Sequence, residues 1–350
     1  MALITTSVLT APVNVVFQTT LLRRAKAHCP YFMGSVSAEI AEHKGTFTAK
    51  WRRFENMTPT TTALTELTGS VAFPTRTGSS PSITDYTAAV SKYGDFFVLN
   101  EEVDLLNFSE QGDELSAVLG TQAGRSLNRL QRNILEDNFT AFLTGSATSA
   151  ADIGGSPTAS GFVKRTEIAA VTNAIERQDG MKFTARTTGS TNVGSTPIRA
   201  SFWAMTHYDV IEDLRTLTGW NEAITYAGQV ETAPEEAGHI GGVRWIGTSE
   251  ASIDATTGVA ATASATTSGR STATRFDVYN SVIFGKDAVG AVGFGFEHVK
   301  EQYTAGDKLP GVQMISHPRG SAGAADPLNE VSTIGWKSWH GGIVLNANWG

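Results

Sequence analysis

One stretch, residues 109–143, constrains the fold more than any other. Leu115, Leu119, Ala123, Leu127, Leu130 and Ile134 recur there at steps of three and four, with Asp113, Gln122, Arg125, Arg129, Arg132 and Glu136 between them. That is the pattern of an amphipathic helix. Ser109 is placed to cap its start, Glu110, Asp113 and Glu114 sit where the helix dipole favours negative charge, and Gly145 supplies a stop. At the helical rise the element would be roughly 50 Å long, more than a compact domain needs for its own core. The spacing predicts a strut along which the rest is arranged.

The segments before it do not look self-sufficient. Residues 1–45 mix Thr, Val and Leu with a basic cluster at Arg23, Arg24 and Lys26, and read as an arm that packs on this fold or on a neighbouring chain. From residue 46 to 54 the period changes to two: Phe47, Ala49 and Trp51 fall on one side, Thr46, Thr48, Lys50 and Arg52 on the other. Residues 56–81 are rich in Thr, Ser, Gly and Pro, and alternation resumes over 83–90 and runs on to Leu99. The prediction is a long hairpin with an extended tip. Two strands bury too little apolar area to stand alone, so this hairpin needs a partner surface. Trp51, Arg52, Arg53, Glu55, Glu66 and Asp85, with Arg23 and Arg24 of the arm, are the candidate contacts.

After the strut, strand and helix patterns alternate. Residues 166–177 read as a short helix with Ile168, Val171 and Ile175 on one side, 199–205 as a buried strand, 207–217 as a helix, 220–226 as another helical turn or two, and 243–246 as a strand. These imply a mixed α/β domain around a sheet. Residues 252–274 are nearly all Ala, Thr, Ser and Gly and read as an exposed loop, since such a stretch cannot cover a core. Residues 278–284 and 291–296 look like strands, 299–303 and 311–315 like a second hairpin, and the aromatic tail with Trp336 and Trp339 like a strand tied into a sheet.

Chemistry is hard to find. The 350 residues carry a net charge of -7 and no long basic run, so a role that draws its affinity from neutralising phosphates lacks its footprint. Cys29 is the only cysteine, which excludes intrachain disulfides and thiolate metal sites and reads as a buried, inert thiol. No run of about 18 apolar residues marks a membrane span, and the N-terminus has no basic region ahead of an apolar core, so neither a transmembrane helix nor a signal peptide is expected. Gly290, Gly293 and Gly295 miss the spacing of a phosphate loop and fit close strand packing better. The seven histidines are scattered. His207 opens a helix and His239 sits beside Gly-rich chain; both read as structural, and neither pairs at metal-ligand spacing. No cofactor, metal or catalytic residue is assigned, and the chain is not expected to be an enzyme.

Several segments together resemble one family. They are KWRRFENMTPTTTALTE (50–66), ITDYTAAVSKYGDFFVLNEEVD (83–104), THYDVIEDLR with GWNEA after it (206–223), GHIGGVRWIGTSEA (238–251) and DPLNEVSTIGWKSWHGGIVLNANW (326–349). In this order they resemble the major capsid proteins of tailed bacteriophages with the HK97 fold, and more narrowly the N4 gp56-like family. The resemblance implies an α+β fold: an N-terminal arm (1–45), an extended E-loop hairpin lying over a neighbouring subunit (46–99), a P-domain region with the spine helix (100–165), an A-domain (166–295) carrying the exposed 252–274 loop, and strands returning to the P-domain (296–350). It implies a virion shell protein that assembles in the host cytoplasm into pentamers and hexamers around double-stranded DNA. Its main partner is itself, with scaffolding, portal and decoration proteins beside it, only weak non-specific contact with DNA, and no membrane. An encapsulin-like cellular compartment is the nearest alternative; an α/β hydrolase using His207 or His239 is the alternative from another class.

Overall fold

The structure, a computed structural model, describes residues 29–41, 46–61, 63, 79–102, 111–154, 161–183, 200–225, 233, 235–260, 271–272, 275–295, 312–321 and 326–350. In chain order its main elements are β1 (Val36–Ala41), β2 (Thr48–Phe54), β3 (Ile83–Ala89), β4 (Ser91–Asn100), α1 (Gln111–Asn138), α2 (Arg165–Arg177), β5 (Phe202–Thr206), α3 (Tyr208–Arg215), β6 (Glu236–Ile240), β7 (Val243–Gly247), β8 (Val282–Phe284), β9 (Val289–Gly295), β10 (Val312–His317) and β11 (Val331–Val344).

The aromatic tail organises the larger sheet. β11 is antiparallel to β4 over residues 331–340, to β10 over 333–338 and to β9 over 340–344, and β1 adds in parallel to β9. Alternation then gives β11 two working faces. Ile334 and Trp336 meet Leu119, Ala123 and Leu127 of α1, all three fully buried, together with Cys29, Phe32, Ala291 and Val312. Trp339 and Ile343 turn the other way, onto Ala88, Val90, Val292 and Ile40, with Trp51 of β2 beside them. Gly341 and Gly342 make both approaches close. A Cβ at Gly341 would lie 2.5 Å from the Ala89 carbonyl oxygen, and one at Gly342 2.6 Å from Oε1 of Gln131, well inside contact distance.

The strut is shorter than the periodicity suggests. α1 has 28 residues, about 42 Å at the helical rise. It ends at Asn138, whose side-chain amide donates to the Ile134 carbonyl at 2.8 Å. Phe139 is drawn onto the core and lies against Gly350, while Phe142 and Leu143 are exposed. The expected cap at Ser109 lies outside the described residues.

The smaller sheet runs β8, β5, β7, β6, closed by a two-residue strand at Asn221–Glu222. β5 and β7 are parallel and wholly buried; α2 and α3 cover them with Ile168, Ile175, Val210 and Leu214. Gly241 and Gly242, both at positive φ, form the tight turn between β6 and β7. A fourth cluster, with Tyr31, Leu135, Trp203, Met205, Ile246, Phe284 and Val344, welds the two sheets together.

Several sequence expectations change here. Cys29–Ala41, the end of the segment read as an arm for this fold or a neighbouring chain, is built into this fold: Tyr31 and Phe32 are buried and β1 is part of the large sheet. Of the expected hairpin limb 83–99, only β3 pairs with β2, because β4 is drawn into the large sheet by β11. Of the helical turns expected over 220–226, the described residues 220–225 hold a short strand and a 3-10 turn at Ala223–Thr225 in place of a helix. The 278–284 strand breaks at Asn280 and Ser281, its first part pairing with Ile253–Asp254 at the root of the small-residue loop. Residues 1–28, 261–270 and 299–303, with their arm, loop-tip and hairpin assignments, lie outside the described residues.

One buried group should report on pH. His340, in β11, meets Phe32 edge to face at 5.4 Å, and neither ring nitrogen has a hydrogen-bond partner among the described residues. Burial holds its pKa down to about 4. The unfolded chain, titrating near 6.5, then binds the proton first, so stability should fall as pH drops from about 6.5 to about 4. Thermal unfolding across that window should show a shallower fall for His340→Phe than for the natural chain.

Candidate subunit-interface surface

The hairpin is a two-stranded ladder of β2 and β3 in full register, from Thr48 opposite Ala89 to Phe54 opposite Ile83. Its inner face is anchored. Trp51 packs near Gly290 and Ile343 of the same chain. Arg53 donates to Glu55 at 2.6 Å and to the Leu345 carbonyl at 2.8 Å, lies over the Tyr86 ring, and shares Glu55 with the Thr84 hydroxyl. The Arg53 bond is the main reason the Glu55 carboxyl lies below its ordinary range. On the outer face Asp85 accepts from Arg52 at 2.9 Å and pairs with Lys50 at 2.6 Å, which holds its pKa down to about 2. Of the eight sequence candidates, then, Arg53 and Glu55 tether the hairpin to its own body, Trp51 packs on that body, and Arg52 and Asp85 pair with each other facing solvent. Arg23, Arg24 and Glu66 lie outside the described residues.

The sequence reading missed the apolar part of this surface. Phe54 and Ile83, cross-strand neighbours at the far end of the ladder, are 63% and 48% exposed, and Met57 follows at 53%. On β4, Tyr93 and Leu99 turn to α1, while Phe96 and Val98 turn away over Gly335 and Thr333 and stay 63% and 59% exposed. A single chain gains nothing by wetting such groups together. The signal was present: Phe54 falls on the polar side of its own strand, out of step with Thr48, Lys50 and Arg52.

A second feature joins the two sheets. Arg125 and Arg129 of α1 donate to the two carboxylate oxygens of Glu250 at 2.5 and 2.6 Å, and Arg132 donates to the Glu250 carbonyl at 2.6 Å. Burial alone would raise the Glu250 carboxyl; the bonds from Arg129 and Arg125 outweigh it and hold the group below its usual range. Replacing both Arg125 and Arg129 by alanine strands a carboxylate whose side chain is only 3% exposed. The expected cost is about 2 kcal/mol in urea unfolding, less than for a fully buried pair because solvent already screens the half-exposed arginines.

The two candidate histidines hold structural positions. His207 caps α3, accepting from Asp209 N–H at 3.2 Å, and His239 is a half-buried strand residue whose pKa is lowered by desolvation. Among the described residues no group of three His, Cys, Asp or Glu side chains converges on a metal position, and no helix is long and apolar enough to cross a membrane. Gly290 and Gly293 sit in β9 between β1 and β11, where close strand packing accounts for them.

A long helix packed on one sheet, a two-stranded hairpin and a second sheet with its own helices make up an α+β fold, and that fold is similar to those of solved phage structures, a capsid among them. The cyanophage Pam1 capsid asymmetric unit is similar at 14% identity and a TM-score of 0.50, covering 92% of this chain and 88% of that one. Structures from Microbacterium phage Oxtober96 (12% identity, TM-score 0.50, 92% and 86% covered) and Gordonia phage Cozz (11%, 0.50, 92% and 84%) are similar to the same degree. No family model and no curated protein matches the sequence.

Proposed function

We propose that the chain is a phage major capsid protein of the HK97 type, in the N4 gp56-like group, whose copies form pentamers and hexamers of an icosahedral shell around double-stranded DNA. The observation that carries this is the hairpin: on a chain with a capsid fold, it projects from the large sheet with Phe54, Ile83 and Met57 bare. In this reading the β2–β3 hairpin, residues 46–89 of the expected 46–99, is the E-loop that lies over a neighbour, α1 is the spine of the P-domain, the smaller sheet belongs to the A-domain around the symmetry axes, and residues 1–45 supply an arm. Trp51, Arg52, Arg53, Glu55, Glu66 and Asp85, with Arg23 and Arg24, are the contact set, the inner ones acting by holding the hairpin's angle. The mechanism is interface burial multiplied by symmetry. A net charge of -7 suits a container filled by a motor, because a basic lining would bind nucleic acid indiscriminately. Portal, scaffolding and decoration proteins are the further partners, and the host cytoplasm is the place of assembly.

Electron microscopy of the expressed, purified chain tests the proposal. Closed shells of uniform diameter are expected. A chain that stays monomeric at every concentration overturns the reading.

A further inference from the structure

The outward face of α1 carries a groove of about 460 Å³ lined by Val118, Thr121, Gln122, Arg125, Ser126 and Arg129. Its polar content is one-sided. Arg125 and Arg129 each commit only Nε to Glu250, and their side chains are 49% and 52% exposed. The Thr121 hydroxyl already donates to the Ala117 carbonyl, and the Gln122 amide is engaged by Asp95 and Trp336. What remains uncommitted among these groups is mainly donors: the terminal N–H groups of two guanidiniums, with the Ser126 hydroxyl, which can donate or accept. Two guanidiniums against one carboxylate leave a single positive charge. Arg132 does not add to it, being paired with Glu136 at 3.7 Å, and the Asp95 oxygens are taken by Gln122 and the Phe96 N–H. Beside these donors Val118 is 55% exposed.

A duplex or single strand of nucleic acid matches this poorly. A polyanion gains affinity with each phosphate that meets a cation, whereas this groove offers one net charge next to an aliphatic wall. A single carboxylate with an aliphatic neighbour matches it, through short charge-assisted bonds to the guanidinium forks. The sequence Leu64-Thr65-Glu66-Leu67 has that chemistry, and it lies beyond the Phe54–Ile83 pair that ends the hairpin ladder. Asp104, between Val103 and Leu105, has it too, but in the link between β4 and α1 of the same chain.

We propose that the α1 groove receives the Glu66 carboxylate of a second copy of this chain, with a flanking leucine against Val118. The proposal rests on the shell reading above and names where the hairpin of one copy meets its neighbour.

Cysteine pairs test it in assembled particles. Cys29 is buried and its thiol is pushed up to about 12, so it does not compete for alkylating agents. A chain carrying Glu66→Cys and Ser126→Cys, treated with a short bis-maleimide, should give a ladder of covalently joined chains on a denaturing gel, and the single variants should not. Glu66→Gln should raise the concentration needed for shell formation about tenfold. Shells without interchain links overturn the proposal and leave the shell reading standing. So does an intrachain link in the Asp104→Cys, Ser126→Cys chain without the ladder, which assigns the groove to the chain's own segment. Duplex DNA that blocks maleimide labelling of Ser126→Cys on dissociated subunits assigns the groove to phosphate and also overturns it. If the natural chain forms no shells, the shell reading fails first and this proposal with it.

Discussion

Replacing Arg244 with methionine is expected to lower the unfolding free energy by about 3–5 kcal/mol, the range for breaking a buried ion pair from one side. Arg244 lies in β7 and Glu236 in the adjacent β6, with side chains 2% and 0% exposed. The guanidinium meets the carboxylate with two parallel bonds, Nε to Oε1 at 2.6 Å and Nη2 to Oε2, and Oε2 also accepts from the Ala233 N–H at 2.9 Å. Methionine fills much of the arginine stem's volume but takes away the guanidinium whose two bonds offset the carboxylate buried in the sheet. Changing both residues, Glu236→Leu with Arg244→Met, removes that stranded charge and should restore most of the loss, because a buried pair contributes little net stability over apolar side chains of similar size. Urea unfolding of the four chains of this cycle reads the coupling directly. A loss below about 1 kcal/mol in Arg244→Met would mean that the carboxylate finds water or another cation.

The buried pair also shows where sequence reasoning stops. α1, α2, α3 and most strands were legible because each carries its own period: the three-and-four steps from Leu115 to Ile134, the alternation from Thr48 to Phe54. Partners distant in sequence were not. The row Arg125, Arg129, Arg132 could be read as a polar helix face, but nothing near it in sequence names Glu250 as what it holds. β4 continues the alternation of β3 almost unbroken, so the sequence runs them together; the break at Val90 comes from ten cross-strand partners supplied by β11, a long-range competition that local pattern does not encode. The end of α1 was misjudged for a related reason. Phe139, Phe142 and Leu143 extend the apolar count, yet Phe139 is claimed by the core and by close approach of Gly350 at the far end of the chain. For the candidate surface, the charged residues were visible as types, but their division into inward tethers and outward pairs depends on the register of Arg52 with Asp85 and of Arg53 with Thr84.

That division matters for what the hairpin does. Arg53 reaches Leu345, immediately after β11, the strand that also carries Trp336 onto α1 and Trp339 onto Phe47. The angle of the hairpin is therefore set by the strand on which the spine helix rests. A contact made at the far end of the ladder transmits load into the middle of the large sheet, and the exposed end can be removed without disturbing this anchorage.

Deleting the far end should accordingly separate folding from assembly. The Glu55 N–H donates to the Ser82 carbonyl at 2.9 Å, so residues 56–81 can be replaced by Asn-Gly, whose backbone suits a two-residue turn between antiparallel strands. The Arg53, Glu55 and Thr84 network and the Leu345 tether survive, and the shorter loop costs less closure entropy; the unfolding free energy should stay within about 1 kcal/mol of the natural chain. Shell formation should be lost entirely, because every copy loses the same contact and symmetry multiplies the deficit. Sedimentation and electron microscopy at matched concentration check it: folded monomers or small oligomers are expected where the natural chain gives shells. Shells at the natural yield from the shortened chain would place the interface on surface the deletion leaves untouched, the Phe54 and Ile83 pair or the Phe96 and Val98 face of β4.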